Sequence, residues 1–173
     1  MSNTEKKNIT GDKSITIMVK IVGTVCNMQC KYCYEHVANK EHMGSEDFNS
    51  IKNYLSKYED YNHVFIVFHG GEPLLAKKEL MTKLLAYIFL NFNCHCHVQI
   101  QTNGTLLDDE WIEIFEKYIP KLSLSISLDP KGKLDLRGSD KMDYRQVVMD
   151  NIKKSINRIE NIGIISVAHA YNV

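Results

Sequence analysis

The 173-residue sequence predicts an α/β fold built on a parallel sheet. Three observations carry that prediction. Short runs rich in β-branched and apolar residues alternate with longer stretches of helical periodicity, in the order β-α-β-α-β-α-β-α-β. One short run, "HVFIVFH" (63–69), is apolar nearly throughout, as a strand buried on both faces requires. The connections are of ordinary length, with no solenoid repeat and no low-complexity linker. Consecutive strands are then joined by right-handed crossovers with helices outside the sheet.

Each element has its own justification. "SITIMVKIV" (14–22) is β-branched and reads as the first strand. "SEDFNSIKNYLSKY" (45–58) opens with capping residues and places Phe48, Ile51, Tyr54, Leu55 and Tyr58 at helical spacing. After the 63–69 strand, "KKELMTKLLAYIFLNF" (77–92) is a strongly apolar helix. "HVQIQT" (97–102) is a strand running into an Asn-Gly turn. "DDEWIEIFEKYI" (108–119) starts with acidic residues that suit a helix N-terminus, and Pro120 stops it. "KLSLSISL" (121–128) is a strand, "YRQVVMDNIKKSINRIE" (144–160) a helix, and "GIISVAHAYNV" (163–173) opens as a fifth strand. Residues 1–13 read as a polar tail and 14–173 as one core domain.

This alternation is common to an open doubly wound sheet and to an arc of a (β/α) barrel. In both, chemistry belongs at the C-terminal ends of the strands. The unusual residues obey that rule. A cysteine loop follows the first strand, "GGEP" (70–73) the second, "TNGT" (102–105) the third and "SLDP" (127–130) the fourth.

Bulk properties narrow the function classes. Apolar residues make up 44% and charged residues 24% of the chain, an ordinary globular balance, and the formal net charge is zero. Nothing in that balance points to nucleic acid or to an anionic membrane surface. The N-terminus lacks an apolar run, and no stretch approaches the ~18 apolar residues of a membrane span. The expected location is the cytoplasm, where thiols stay reduced and clustered cysteines serve as metal ligands or catalysts.

Cys26, Cys30 and Cys33 fall within "VCNMQCKYCYEH" (25–36). A disulfide framework wants pairs and a structural zinc site wants four ligands. Three thiols suit a four-iron cluster, normally held by four, in which one iron is left for a small molecule. A zinc-stabilised module completed by Cys94, Cys96 or a histidine remains an alternative at this point. Cys94 and Cys96 alternate into a strand and read as structural, and Trp111 reads as core.

The C-x3-C-x2-C spacing, with aromatic Tyr32 before the last cysteine, resembles the radical S-adenosylmethionine (SAM) superfamily. The wording is similar to the peptide- and protein-modifying maturases, such as anaerobic sulfatase-maturating enzymes. The resemblance implies a (β/α) barrel, here of about five units against the usual six and without the cysteine-rich C-terminal domain of that branch. It implies a [4Fe-4S] cluster on Cys26, Cys30 and Cys33, S-adenosyl-L-methionine on the open iron, and reductive cleavage to a 5′-deoxyadenosyl radical that abstracts hydrogen. By the same resemblance Tyr32 packs near the adenine, while Gly70, Gly71 and Glu72 of "HGGEPLL" meet the methionine ammonium. The glycines permit close backbone approach, and a carboxylate is the natural partner of an ammonium. Gln101 and Asn103 of "IQTNGT" face the cofactor side. Ser127 and Arg137 of "LSISLDPKGKLDLRG" contact its carboxylate and ribose, and a guanidinium fork suits a carboxylate. Asp129-Pro130 stands where the family usually has Asp-Gly-Pro, with the glycine displaced to Gly132, and Asp129 is read as shaping the turn. No substrate base is identifiable.

The implied partners are a peptide or protein substrate and an external electron donor such as flavodoxin or ferredoxin. An unclosed sheet edge also invites a homodimer or a partner chain. Against catalysis stands a second reading, a truncated binding module that keeps cluster and SAM but lacks substrate residues.

Overall fold

The computed structural model describes residues 11–36, 47–92, 95–138 and 144–172. Five parallel strands form one sheet in the order β1-β2-β3-β4-β5: β1 Ser14–Val19, β2 His63–Phe68, β3 His95–Thr102, β4 Leu122–Ser127 and β5 Ile162–Ile165. Spatial order equals chain order. With right-handed crossovers, a sheet that always steps the same way places all its helices on one face. A doubly wound sheet needs a reversal of strand order, and this one has none. The fold is therefore an open arc of a (β/α) barrel.

The helices are α1 Phe48–Leu55, α2 Lys78–Asn91, α3 Asp109–Glu116 and α4 Tyr144–Ser155. Asp47 caps α1 by accepting from the backbone N–H groups of Asn49 and Ser50, at 3.3 and 2.9 Å. Asp108 caps α3 by accepting from Trp111 N–H at 2.9 Å. Each cap satisfies donors that the first helical turn leaves unpaired.

Register aligns the apolar rows. Ile17 pairs with Ile66, Ile66 with Val98 and Val98 with Leu122. These side chains join Leu84, Leu85, Ile88, Ile112, Phe115 and Val148 in a single core. The alternate positions of β3, His95, His97, Gln99 and Gln101, are less buried, and His97 Nε2 meets Ser123 Oγ at 2.9 Å. One face of the arc is thus oily and helix-covered, and the other carries polar side chains.

Most boundaries differ from the sequence reading by a few residues: β1 stops at Val19 rather than 22, α1 spans 48–55 within 45–58, and α3 ends at Glu116 rather than 119. β3 begins at His95 rather than 97, because His95 N–H donates to Asn62 O at 3.1 Å and its ring stacks on His63. Helix α4 ends at Ser155 rather than 160. There the Ser155 hydroxyl donates back to the carbonyls of Asn151 and Ile152, and the chain tightens into a turn. The fifth strand is four residues long. Residues 45–46 and Cys94 lie outside the described residues. Cys96 and Trp111 are core residues, as read, with Trp111 stacked on Phe115. Among the described residues no helix is long and apolar enough to cross a membrane.

Phe115 is fully buried beneath the sheet. Phe115→Ala is expected to cost about 3–5 kcal/mol in urea-induced unfolding. Leu90, 78% exposed, is expected to tolerate Ser within about 0.5 kcal/mol in the same measurement.

Candidate functional site

The site lies at the C-terminal edge of the sheet, where four loops meet. The first holds the cysteines. Its path is set by local turns, with Gly23 N–H donating to Lys20 O, Val25 N–H to Val22 O and Cys33 N–H to Cys30 O. Cys26, Cys30 and Cys33 are each half-buried. N–H groups are aimed at two of the sulfurs. Met28 N–H donates to Cys26 Sγ and Gly138 N–H to Cys30 Sγ, both at 3.4 Å, and the Asn103 amide nitrogen lies 3.7 Å from Cys26 Sγ. Donors converging on sulfur suit thiolates, which accept hydrogen bonds more strongly than thiols do. Burial pushes the pKa of Cys26 and of Cys30 upward, so the protein alone holds both as thiols and ligation would release their protons. Among the described residues, no three His, Cys, Asp or Glu side chains gather around a point where one ion could sit. A cubane offers a different iron to each thiolate and does not require such convergence. Three half-buried thiols on one loop fit the three protein-held corners of such a cluster.

The second loop, Gly70-Gly71-Glu72, packs directly on the first. Gly71 has φ +53°, and a Cβ there would stand 2.0 Å from Val25 O. Only glycine fits. The backbone it must approach is that of the cysteine loop, a reason for the glycine that the motif alone does not reveal. Glu72 N–H then donates to Val25 O at 2.8 Å and locks the two loops together.

The Glu72 side chain is completely buried. Its Oε1 accepts from Leu74 N–H at 3.0 Å and from the Thr102 hydroxyl at 2.6 Å, and its Oε2 accepts from Asn103 N–H at 2.6 Å. Burial pushes its pKa up; the hydrogen bonds from Thr102, Asn103 and Leu74 and the charge of Arg137 pull against that rise. A carboxylate has about four lone-pair sites. Three are filled, two on Oε1 and one on Oε2.

The third loop is held by that same carboxylate. Thr102 ends β3 and Asn103 begins the turn. Gln101, one position earlier, is half-buried on the polar face and pairs in register with Ser125.

The fourth loop runs from Ser127, the last residue of β4, through Asp129 to Arg137 and Gly138. It folds back onto the cysteine loop through Lys31 N–H to Leu136 O at 2.7 Å. Tyr32 hydroxyl donates to Asp129 Oδ2 at 2.5 Å and accepts from Arg137 Nη1 at 3.0 Å. Burial, reinforced by the bond to Asp129, drives the Tyr32 pKa well above its usual value, so it stays a neutral phenol. Asp129 Oδ1 accepts from Val167 N–H at 2.9 Å. The two Asp129 oxygens thus bond the cysteine loop and the stretch after β5, rather than the turn that the sequence reading had Asp129 shape. Arg137 Nε is buried with no hydrogen-bond partner.

All the residues marked from sequence therefore lie on one edge, and most touch another of their number. The sequence reading did not single out Asn27 or Thr105. Nor did it find Lys20 with Glu35 (2.7 Å) and Tyr34 hydroxyl with His69 Nε2 (3.0 Å) on the other flank of the cysteine loop. No spacing rule signals these pairs: Tyr34 and His69 lie on different loops, and Lys20 and Glu35 meet only through the path of the cysteine loop between them.

Comparison with known proteins agrees with this layout. Residues 20–171 match the family model described as the Radical SAM superfamily. A serine-type anaerobic sulfatase-maturating enzyme of Bacteroides thetaiotaomicron is 31% identical over 165 residues, covering 88% of this chain and 38% of that protein. A cysteine-type enzyme of the same name from Clostridium novyi is 25% identical over 151 residues, covering 82% of this chain and 40% of the other. Native anSMEcpe with bound AdoMet superposes with a TM-score of 0.72 at 24% identity, over 86% of this chain and 42% of that one. SuiB of Streptococcus suis, bound to its precursor peptide SuiA, does so with a TM-score of 0.57 at 16% identity, over 91% and 40%. At these identities the structural likeness is one of fold. The chain spans well under half the length of these relatives.

Gly71→Ala is expected to destabilise the metal-free protein by at least about 2 kcal/mol. Glu72→Ala leaves three buried donors without an acceptor and is expected to cost about 3 kcal/mol. Urea unfolding of both variants beside the parent protein checks these values.

Proposed function

The chain belongs to the radical SAM superfamily, and from that premise we propose that it holds a [4Fe-4S] cluster on Cys26, Cys30 and Cys33, binds S-adenosyl-L-methionine beside it, and initiates hydrogen abstraction from a peptide or protein. When bound, this cofactor pair supplies the reductive cleavage that yields a 5′-deoxyadenosyl radical. The observation that carries the reading is the fully buried carboxylate of Glu72, which joins the glycine loop to the third loop while its own N–H holds the cysteine loop at Val25 O.

The residues divide the work by chemistry. Cys26, Cys30 and Cys33 ligate. Glu72 keeps one acceptor position for the ammonium of the methionine moiety, and a cation there would offset the burial that raises its pKa. Arg137, with its unpartnered Nε, offers a donor to the carboxylate. Tyr32, fixed between Asp129 and Arg137, forms a wall near the adenine. Gln101 and Ser127, at the ends of adjacent strands, border the polar face. Residues 14–173 act as the core domain, with 1–13 as a polar tail.

The substrate class rests on the maturase relatives. The electron comes from an external low-potential donor such as flavodoxin or ferredoxin, and the site of action is the reducing cytoplasm.

The test is anaerobic. After reconstitution with iron and sulfide, SAM and dithionite are added, and 5′-deoxyadenosine and methionine are quantified by liquid chromatography with mass spectrometry. Product formation that needs all three cysteines is expected. A four-iron cluster with no cleavage would favour the non-catalytic binding module, and zinc without sulfide would favour the zinc-stabilised one. Cys30→Ala is expected to abolish cluster assembly; an intact four-iron cluster in that variant would overturn the ligand assignment.

A further inference from the structure

The side-chain amide of Asn103 is locked in one orientation. Its Oδ1 accepts from the backbone N–H and the hydroxyl of Thr105, at 2.9 and 2.7 Å. An oxygen that accepts twice on one side turns the NH2 group to the other. There Nδ2 donates to Asn27 Oδ1 at 2.8 Å and lies 3.7 Å from Cys26 Sγ. The Asn27 amide is fixed in turn, because its Nδ2 donates to Thr105 Oγ1 at 2.8 Å. Flipping either amide would set donor against donor. Asn103 is also buried, and its backbone N–H is held by Glu72. Three side chains from two loops thus aim one N–H at one sulfur.

We infer that Asn103 donates a hydrogen bond to the Cys26 thiolate of the loaded cluster and thereby raises the cluster's reduction potential, with Thr105 and Asn27 as positioning residues. The inference rests on Cys26 being a cluster ligand. On one-electron reduction the cluster gains a negative charge, shared with its thiolate sulfurs. The electron comes from a low-potential protein donor or from dithionite. An N–H dipole pointed at sulfur stabilises that charge, and hydrogen bonds to the sulfurs are among the factors that set such potentials. Met28 and Gly138 also donate to the cysteines, but from the backbone, which side-chain substitution does not remove. This assigns the Asn103 amide to the cluster's ligand sphere rather than to SAM itself.

The experiment is a redox titration of the reconstituted full chain, followed by electron paramagnetic resonance of the reduced cluster. Electron–nuclear double resonance after exchange into deuterated water accompanies it. Asn103→Asp removes the donor and keeps the Oδ1 acceptor. Thr105→Val removes the hydroxyl that locks the amide and adds no charge. Both midpoints are expected to fall below that of the parent protein, further for Asn103→Asp, which also loses an exchangeable deuteron coupling. Asn151→Ala is the control, because Asn151 braces the same turn through Gly104 O at 2.9 Å without approaching sulfur; its midpoint is expected to match the parent. Unchanged midpoints in both site variants, or an equal fall in the Asn151 variant, would overturn the inference alone. A parent chain that assembles no four-iron cluster would overturn the cluster reading and this inference together.

Discussion

The functional edge depends on one buried carboxylate. Burying an unpaired charge is so costly that a group in that position must be surrounded by donors. Glu72 gathers a hydroxyl from the end of β3, a backbone N–H from the turn beyond it and a backbone N–H from its own loop. Its own N–H meanwhile grips the cysteine loop. The need to satisfy this one side chain brings three separate loops into register.

On the far side of the cysteine loop, Tyr32, Asp129 and Arg137 do comparable work with different chemistry. Tyr32 hydroxyl bridges an acid and a base, and Asp129 extends the connection to the segment after β5. The cysteine loop, which has no regular secondary structure through its three thiols, is thereby held from both flanks. A loop built this way has little freedom to rearrange when it takes a cluster. That matters for a centre whose ligands must stand at set positions. The Asn103–Thr105–Asn27 triangle adds a third restraint, directed at a sulfur rather than at backbone.

Much of this was legible in the sequence, element by element. The alternation of "HVFIVFH" with "KKELMTKLLAYIFLNF" and their neighbours announced a parallel α/β sheet, because strand and helix periods differ and burial enforces each. Glycines, prolines and capping acids marked the ends, and the cysteine spacing marked the chemistry. The pairings were not legible. Nothing in the chain says that Gly71 must be glycine because Val25 O is 2.0 Å from where its Cβ would be, or that Arg137 meets Tyr32 across 105 positions.

The sequence by itself determined the class of fold, the location of the site on one edge of the sheet, and the set of sulfur, carboxylate and guanidinium groups available there. These follow from local periodicity and side-chain chemistry, which are written residue by residue. The alternation of elements left a doubly wound sheet and a barrel arc open, the motif resemblance favoured the arc, and the strand order of the tertiary structure decided it. The tertiary structure alone decided that Glu72 is a fully buried hub, and that the Asn103 amide faces sulfur. These outcomes depend on which distant loops share space, and that is set by strand order and by the demand that every buried polar atom find a partner.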